Sequence, residues 1–159
     1  MFAVACVPTE HSSILIVGGG ASGVCTGVQA ARMGVQSTIL EEGVWLGGML
    51  TSAGVSCIDG NYKMPSGIFG EFADSLAARY GGYPALQTGW VSNINFDPHI
   101  GEEILTNICN SCSNHLSVKR NSKVLNIKRQ ENGWRVVYRD NEGHRRGIEC
   151  EVLIDGTEL

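Results

Sequence analysis

Residues 14–43 read ILIVGGGASGVCTGVQAARMGVQSTILEEG: a hydrophobic run, three glycines, a small-residue segment and a second hydrophobic run closed by two glutamates. Residues 13–17 are short, apolar and rich in β-branched side chains, and the run stops at glycine, so it reads as a buried strand. Residues 21–33 carry Val24, Val28 and Ala31 at helical spacing, and Gly34 stands where a left-handed cap ends a helix. Residues 36–40 form a second strand. Strand, helix and strand joined by a short glycine turn make a βαβ unit, whose parallel strands require a right-handed crossover.

Within that unit Gly18, Gly20 and Gly23 have G-x-G-x-x-G spacing, directly after a strand and at the start of a helix. That is the context a dinucleotide fingerprint requires. Gly18 makes the turn, Gly20 lets the backbone approach a pyrophosphate, and Gly23 lets the helix press on the sheet. The pyrophosphate would sit at the helix N-terminus, on free amides and the positive end of the helix dipole, with the Ser22 hydroxyl as a further donor. Glu41 ends the second strand, 18 residues past Gly23, where an acid accepts from ribose hydroxyls. An acid there with no neighbouring arginine disfavours a 2′-phosphate. The plainer alternative is a tight strand–helix turn that holds nothing, but strand, helix, second strand and terminal acid all fall in register for a nucleotide.

Composition sets the wider limits. A chain of 159 residues with 43% hydrophobic and 18% charged residues fits one ordinary globular domain. Its 21 glycines cluster at 18–20, 47–48 and 81–82 without a repeat, which indicates tight turns and close backbone approach. A net charge of −4 supplies no basic footprint for nucleic acid or an anionic membrane. The basic run Lys119, Arg120, Lys123, Lys128 and Arg129 reads as a solvated face of strands. No apolar run reaches the length of a membrane span. Residues 1–12 are expected to be a disordered leader and the chain cytoplasmic. Ala3-Val4-Ala5-Cys6 also resembles the end of a bacterial lipoprotein signal whose front is missing.

Beyond Glu42 the pattern changes. Residues 43–95 are rich in Gly, Ser and Asn around one amphipathic helix at 67–80, with Ile68, Phe69, Phe72 and Leu76 on one stripe. Asp97-Pro98 opens a second helix running to about Cys112. Residues 116–120, continuing into 124–129, then 134–139 and 147–154, are β-like, with turns at 131–133 and 140–143 that suggest an antiparallel meander. The fold class is therefore a three-layer α/β dinucleotide domain: a βαβ unit at 13–50, a mostly helical insertion at 51–115, and strands with a β-meander at 116–159. In an NAD domain the third strand arrives after one more short helix, whereas here a long insertion intervenes and a meander follows.

That layout resembles the FAD-binding domains of the glutathione-reductase-like flavoproteins. IVGGGASG at 16–23, LEEG at 40–43, LGGMLTSAG at 46–54, SGIFGEF at 66–72, NFDPHI at 95–100 and VLIDGTEL at 152–159 together resemble the N-terminal part of the bacterial FAD-dependent oxidoreductase family. The resemblance implies that Gly18, Gly20, Ala21, Ser22 and Gly23 touch the pyrophosphate of FAD and that Glu41, with Glu42 beside it, serves the adenosine ribose. It implies that Gly47, Gly48 and Met49 run along the pyrophosphate–flavin side and that the backbone of Val124 meets adenine. Thr157, in the closing Asp155-Gly156-Thr157 turn, completes the set. Related enzymes often carry a basic residue near Trp45, and none stands here. The family's substrate domain lies beyond Leu159, so this portion is expected not to turn over substrate alone. The rival readings are an NAD-binding dehydrogenase domain and a non-catalytic nucleotide-binding module.

Sharper motifs carry less. Cys109-Asn-Ser-Cys112 with His115 lacks the fourth ligand and second pair of a zinc site. It also falls at a helix C-terminus, where the dipole raises a thiol pKa; it reads as core, and no metal is expected. Cys25 and Cys150 read as buried small hydrophobes, and the irregular spacing of six cysteines argues against a disulfide scaffold. Cys57 has no partner close before it for a flavin-coupled disulfide. His99 reads as a surface residue, and Asp59 and Glu71 have no partner carboxylate at recognisable spacing.

Overall fold

The computed structural model describes residues 7–60, 63–64, 66–90 and 92–158. Strand β1 (Thr9–Val17) leads through the glycine turn into helix α1 (Ala21–Arg32) and strand β2 (Ser37–Leu40). Two helices follow, α2 (Gly67–Tyr80) and α3 (Pro98–Asn110), with a short antiparallel pair, β3 (Cys57–Ile58) and β4 (Ile94–Asn95), between their flanking loops. Strands β5 (Leu116–Lys119), β6 (Lys123–Gln130), β7 (Gly133–Arg139) and β8 (Arg145–Asp155) complete the chain. The main sheet has the order β5-β2-β1-β8-β7-β6. Its first four strands are mutually parallel, and β7 and β6 join antiparallel.

Side-chain alternation along a strand decides which layer each residue serves. Ile16 and Ile39 point to the helices and pack with Val24, Val28, Phe72, Leu76, Ile104 and Leu105. Leu15 and Leu40, their neighbours in sequence, point the other way and meet Val136, Tyr138, Ile148 and Cys150. For β7 residues to reach Leu40, the antiparallel edge must curl back across the sheet face opposite the helices. The result is three layers: helices, parallel strands, meander. Two capping devices set the helices. The Asp97 side chain accepts from the His99 amide at 2.8 Å with Pro98 in the first turn of α3, and Gly81 ends α2 at φ +85°. A bidentate Arg32–Glu71 pair at 2.6 Å ties the end of α1 to α2.

Two expectations need correction. Residues 9–12, expected to belong to a disordered leader, are strand: β1 begins at Thr9, pairing with β8 from Thr9↔Gly147 to Ser12↔Cys150. The stretch TEHS has no apolar alternation, so nothing local marks it as strand; the long partner β8 satisfies its backbone groups instead. The lipoprotein-like residues 3–6 lie outside the described residues. Second, residues 116–129 do not form one running β-segment. β5 and β6 stand at opposite edges of the sheet, separated by a turn in which Asn121 adopts φ +52°. The Asn121 and Ser122 amides donate to the Gly43 and Glu41 carbonyls at 3.0 and 2.9 Å, so the chain leaves the parallel edge by crossing the end of β2.

Lys123, Lys128 and Arg129 of the basic run are exposed, as a solvated face requires, Lys119 and Arg120 are half-buried, and four of the five have partners within the chain. Lys119 reaches Glu10 at 3.0 Å, Arg120 reaches Glu102 at 2.8 Å, Lys123 reaches Glu42 at 2.5 Å, and Arg129 lies over the Trp134 ring at 4.8 Å. Among the described residues no helix is long and apolar enough to cross a membrane.

If the meander is a true third layer, Leu15→Ala should open a cavity between it and the parallel strands. Leu15 is fully buried, and such a truncation costs about 2–5 kcal/mol. Ile127→Ala, at a 46% exposed position on β6, should cost less than about 1 kcal/mol. Urea titration of both variants measures the difference, and equal costs would refute the layer assignment.

Candidate dinucleotide site

The site is built where β1 turns into α1. Gly18, at φ +97°, reverses the chain, and a Cβ on Gly23 would drive into the Gly18 carbonyl, so only glycine lets α1 close onto the turn. Gly20 is the N-cap of α1 and brings no side-chain cap. The first intrahelical bond is Val24 N–H to Gly20 C=O at 2.9 Å, which leaves the earlier amides of the first turn without helical partners. The Gly47 amide donates to the Gly19 carbonyl at 2.8 Å, and Gly47 makes a parallel bridge with Gly20. That contact lays the 3₁₀ turn Gly48–Leu50 alongside the mouth of the helix.

A cavity of about 440 Å³ opens there. Of the residues marked out in sequence, Gly18, Gly20, Glu41, Glu42, Gly48, Val124 and Thr157 line it. Val124 stands beside a bulge in β6, between the register positions of Val124 and Asn126. Ala21, Ser22, Gly23, Gly47 and Met49 frame the cavity through the turn, the first helical turn and the 3₁₀ turn without lining its wall. The wall also includes Ser52, Ala53, Ser122 and Glu158, which sequence reasoning missed. The left-handed Asn121 before Ser122 is the one local signal that could have marked a turn there; Glu158 had none.

Glu41 reaches the cavity but is already occupied. Its two carboxylate oxygens accept from the Gly19 amide at 2.6 Å and the Gly43 amide at 2.5 Å, tying the glycine turn to the end of β2. Glu42 is exposed and pairs with Lys123. Thr157 donates through its amide and hydroxyl to Asp155 Oδ1 at 3.0 and 2.6 Å, bonds that hold the Asp155 carboxyl below its usual range. The Gly156 amide donates to the Val17 carbonyl at 2.7 Å, so the end of β8 is sewn to the end of β1. The Glu158 carboxylate then reaches into the cradle and accepts from the Met49 amide at 2.5 Å. No Lys or Arg is among the described residues that line the cavity, although Lys123 beside it is paired with Glu42; the other positive potential comes from backbone amides and the helix end.

The other candidates resolve into structure. Glu71 is the partner of Arg32, and its carboxyl is held below the usual range by that guanidinium. Asp59 accepts from the Ser92 hydroxyl. His99 is exposed, and its ring tilts against Trp45 with centroids 6.1 Å apart. Cys109 and Cys150 are buried, Cys112 is half-buried and packs against the core, and Cys25, expected to be buried, is half-buried like Cys57. Burial pushes the Cys109 thiol up to about 12 and raises those of Cys25 and Cys150.

A parallel βαβ core with a glycine cradle at its switch point, a helical layer on one face and a meander on the other defines a dinucleotide-binding domain of the flavoprotein type. The sequence model of the FAD dependent oxidoreductase family matches residues 13–159, and the chain belongs to that family. No curated protein matches it in sequence. Among solved structures it is similar to L-proline dehydrogenase from P. horikoshii, with TM-score 0.58 and 12% identity over 95% of this chain and 23% of the other. It is similar to the flavin-dependent monooxygenase PieE, solved with FAD and substrate, with TM-score 0.60 and 17% identity over 96% and 31%. Bacillithiol disulfide reductase from Staphylococcus aureus aligns with TM-score 0.57 and 18% identity over 93% and 38%. At such identities the likeness establishes the fold, and the chain spans from 23% to 41% of the length of these proteins and their neighbours.

Because a buried thiol held near 12 carries almost no thiolate at pH 8, the cysteines should alkylate in a fixed order. In the folded protein Cys57 and Cys112 should react with iodoacetamide well before Cys109 and Cys150, as read by peptide mass spectrometry. Rapid labelling of Cys109 would contradict the packing described.

Proposed function

We propose that this chain is the FAD-binding part of a flavin-dependent oxidoreductase, holding the dinucleotide in the cavity at the β1–α1 turn. The observation that carries the reading is the cradle itself. A Cβ on Gly20 or Gly48 would collide with the Glu158 carboxylate that lies between them, an acid stands at the end of β2, and that Glu158 anion rests on one of the cradle amides. Backbone donors and a helix end are suited to a pyrophosphate without help from cationic side chains.

In this reading the amides of Ala21, Ser22 and Gly23 hold the pyrophosphate, with Gly47, Gly48 and Met49 on its flavin-facing side. Glu41 and Glu42 serve the ribose, the Val124 backbone meets adenine, and Thr157 lies toward the ribityl chain. Glu41 keeps its amide bonds while it does so, because each carboxylate oxygen accepts more than one hydrogen bond. When bound, FAD supplies the electron-transfer chemistry through its isoalloxazine, and the residues of this chain supply position and electrostatics. The substrate would be met by parts of the enzyme outside this cavity. Among the described residues five cysteines are free thiols, which suits a reducing compartment such as the cytoplasm.

Protein incubated with FAD and desalted should retain the visible flavin band at close to one flavin per chain. Gly20→Val, which places a side chain in the pyrophosphate approach, should weaken retention tenfold or more, about 1.4 kcal/mol. Equal retention by Gly20→Val would place the flavin elsewhere, and preferential binding of NAD in a parallel titration would replace the reading.

A further inference from the structure

We propose that Glu158 is a built-in anionic gate of the cradle: its carboxylate holds the position a phosphate of the dinucleotide needs, and must swing out before that phosphate can enter. The inference rests on the FAD-binding reading above and adds a regulatory element to it.

Three observations converge. Glu158 Oε2 accepts from the Met49 amide at 2.5 Å, at the first turn of the 3₁₀ segment Gly48–Leu50. The same carboxylate fills the gap between the two glycine strands of the cradle. A Cβ built on Gly20 would lie 2.5 Å from Glu158 Oε1, and one built on Gly48 would lie 2.6 Å from the same oxygen. Finally, the described residues of the cavity wall include Glu41, Glu42 and Glu158 but no Lys or Arg, and Lys123 beside them is already paired with Glu42. Glu158 is exposed, so the exclusion is chiefly one of place: a phosphate at this point would need the same Met49 amide and the same space between Gly20 and Gly48, and like charge adds to it. The two anions therefore exclude one another.

The way Glu158 is mounted suits a gate. The residues before it are fastened, Gly156 to Val17 and Thr157 to Asp155, so the backbone does not have to move. The side chain itself is held at its tip by the Met49 amide, and rotation about its side-chain torsions carries the carboxylate between staggered positions. With the gate closed, the Met49 amide has an anionic partner beside the N-cap of α1. With it open, that amide passes to the phosphate. A site self-occupied for nine-tenths of the time binds its ligand about tenfold more weakly than the open form.

The test is calorimetric titration of ADP and of FAD into the 159-residue chain, as wild type, Glu158→Ala and Glu158→Gln. The gate predicts that both variants bind both ligands about tenfold more tightly. It also predicts that the Met49 amide resonance shifts in both unligated variants and that the unligated Glu158→Ala protein melts below wild type. Glu158→Gln keeps the length of the side chain, so it separates loss of charge from loss of packing. Unchanged or weaker affinity in both variants, with wild-type protein binding FAD, would overturn the gate and leave the site standing. If wild type and both variants all fail to bind FAD and ADP, the FAD-binding reading falls and the gate with it.

Discussion

Gly18, Gly23 and Gly156 meet where three segments of chain cross with no side chain between them. The Gly18 carbonyl sits against the position a Cβ of Gly23 would take, and a Cβ on Gly156 would lie 3.0 Å from that carbonyl and 3.1 Å from the Gly23 Cα. This crossing sets how closely α1 can settle on β1 and how closely the end of β8 can run past both. The helix N-terminus, the Gly47–Gly48 turn bridged to Gly20, and the Thr157–Glu158 segment are all placed by it. A side chain at the crossing would push the helix end away from the cavity by more than the length of a hydrogen bond tolerates.

Much of this was legible in the sequence because the βαβ unit obeys strong local rules. Its glycine spacing, its apolar runs and the cap at Gly34 each point to the same boundaries, and α2 spans the residues its stripe predicts. The failures are equally physical. TEHS at 9–12 becomes strand only because β8 lies beside it, a partner more than a hundred residues away in the chain that no window can see. The break at Asn121 hides inside a pattern that alternates well on both sides, and only the carbonyls of Glu41 and Gly43, waiting across the end of β2, decide it. The short β3–β4 pair is too brief to carry a period.

The candidate site divides the same way. Glycines, a strand-end acid and the first residues of β6 were marked in advance, and seven of the twelve line one cavity. What the sequence could not show is which partners those groups already have. Glu41 reads as a free ribose acceptor until its oxygens are found on the Gly19 and Gly43 amides. Glu158 reads as a polar residue near a chain end until it is found across the cradle. The three carboxylates divide the donors around the site, Glu41 taking the Gly19 and Gly43 amides, Glu42 taking Lys123 and Glu158 taking the Met49 amide, and only tertiary structure assigns them.

The pairing of β1 with β8 also bears on how the chain is made. β1 leaves the ribosome well before β8, with one edge destined for β2 and the other for residues 147–155. Until those residues are synthesised, the central strand of the sheet keeps an open edge carrying Leu15 and Ile16, and Val136 and Tyr138 have no complete floor to pack on. Contacts of such long range are slow to form, and unpaired edges invite association with other chains. The nucleotide cradle therefore stays half built for the more than one hundred residues that separate β1 from β8, and it closes only when β8 slots between β1 and the meander.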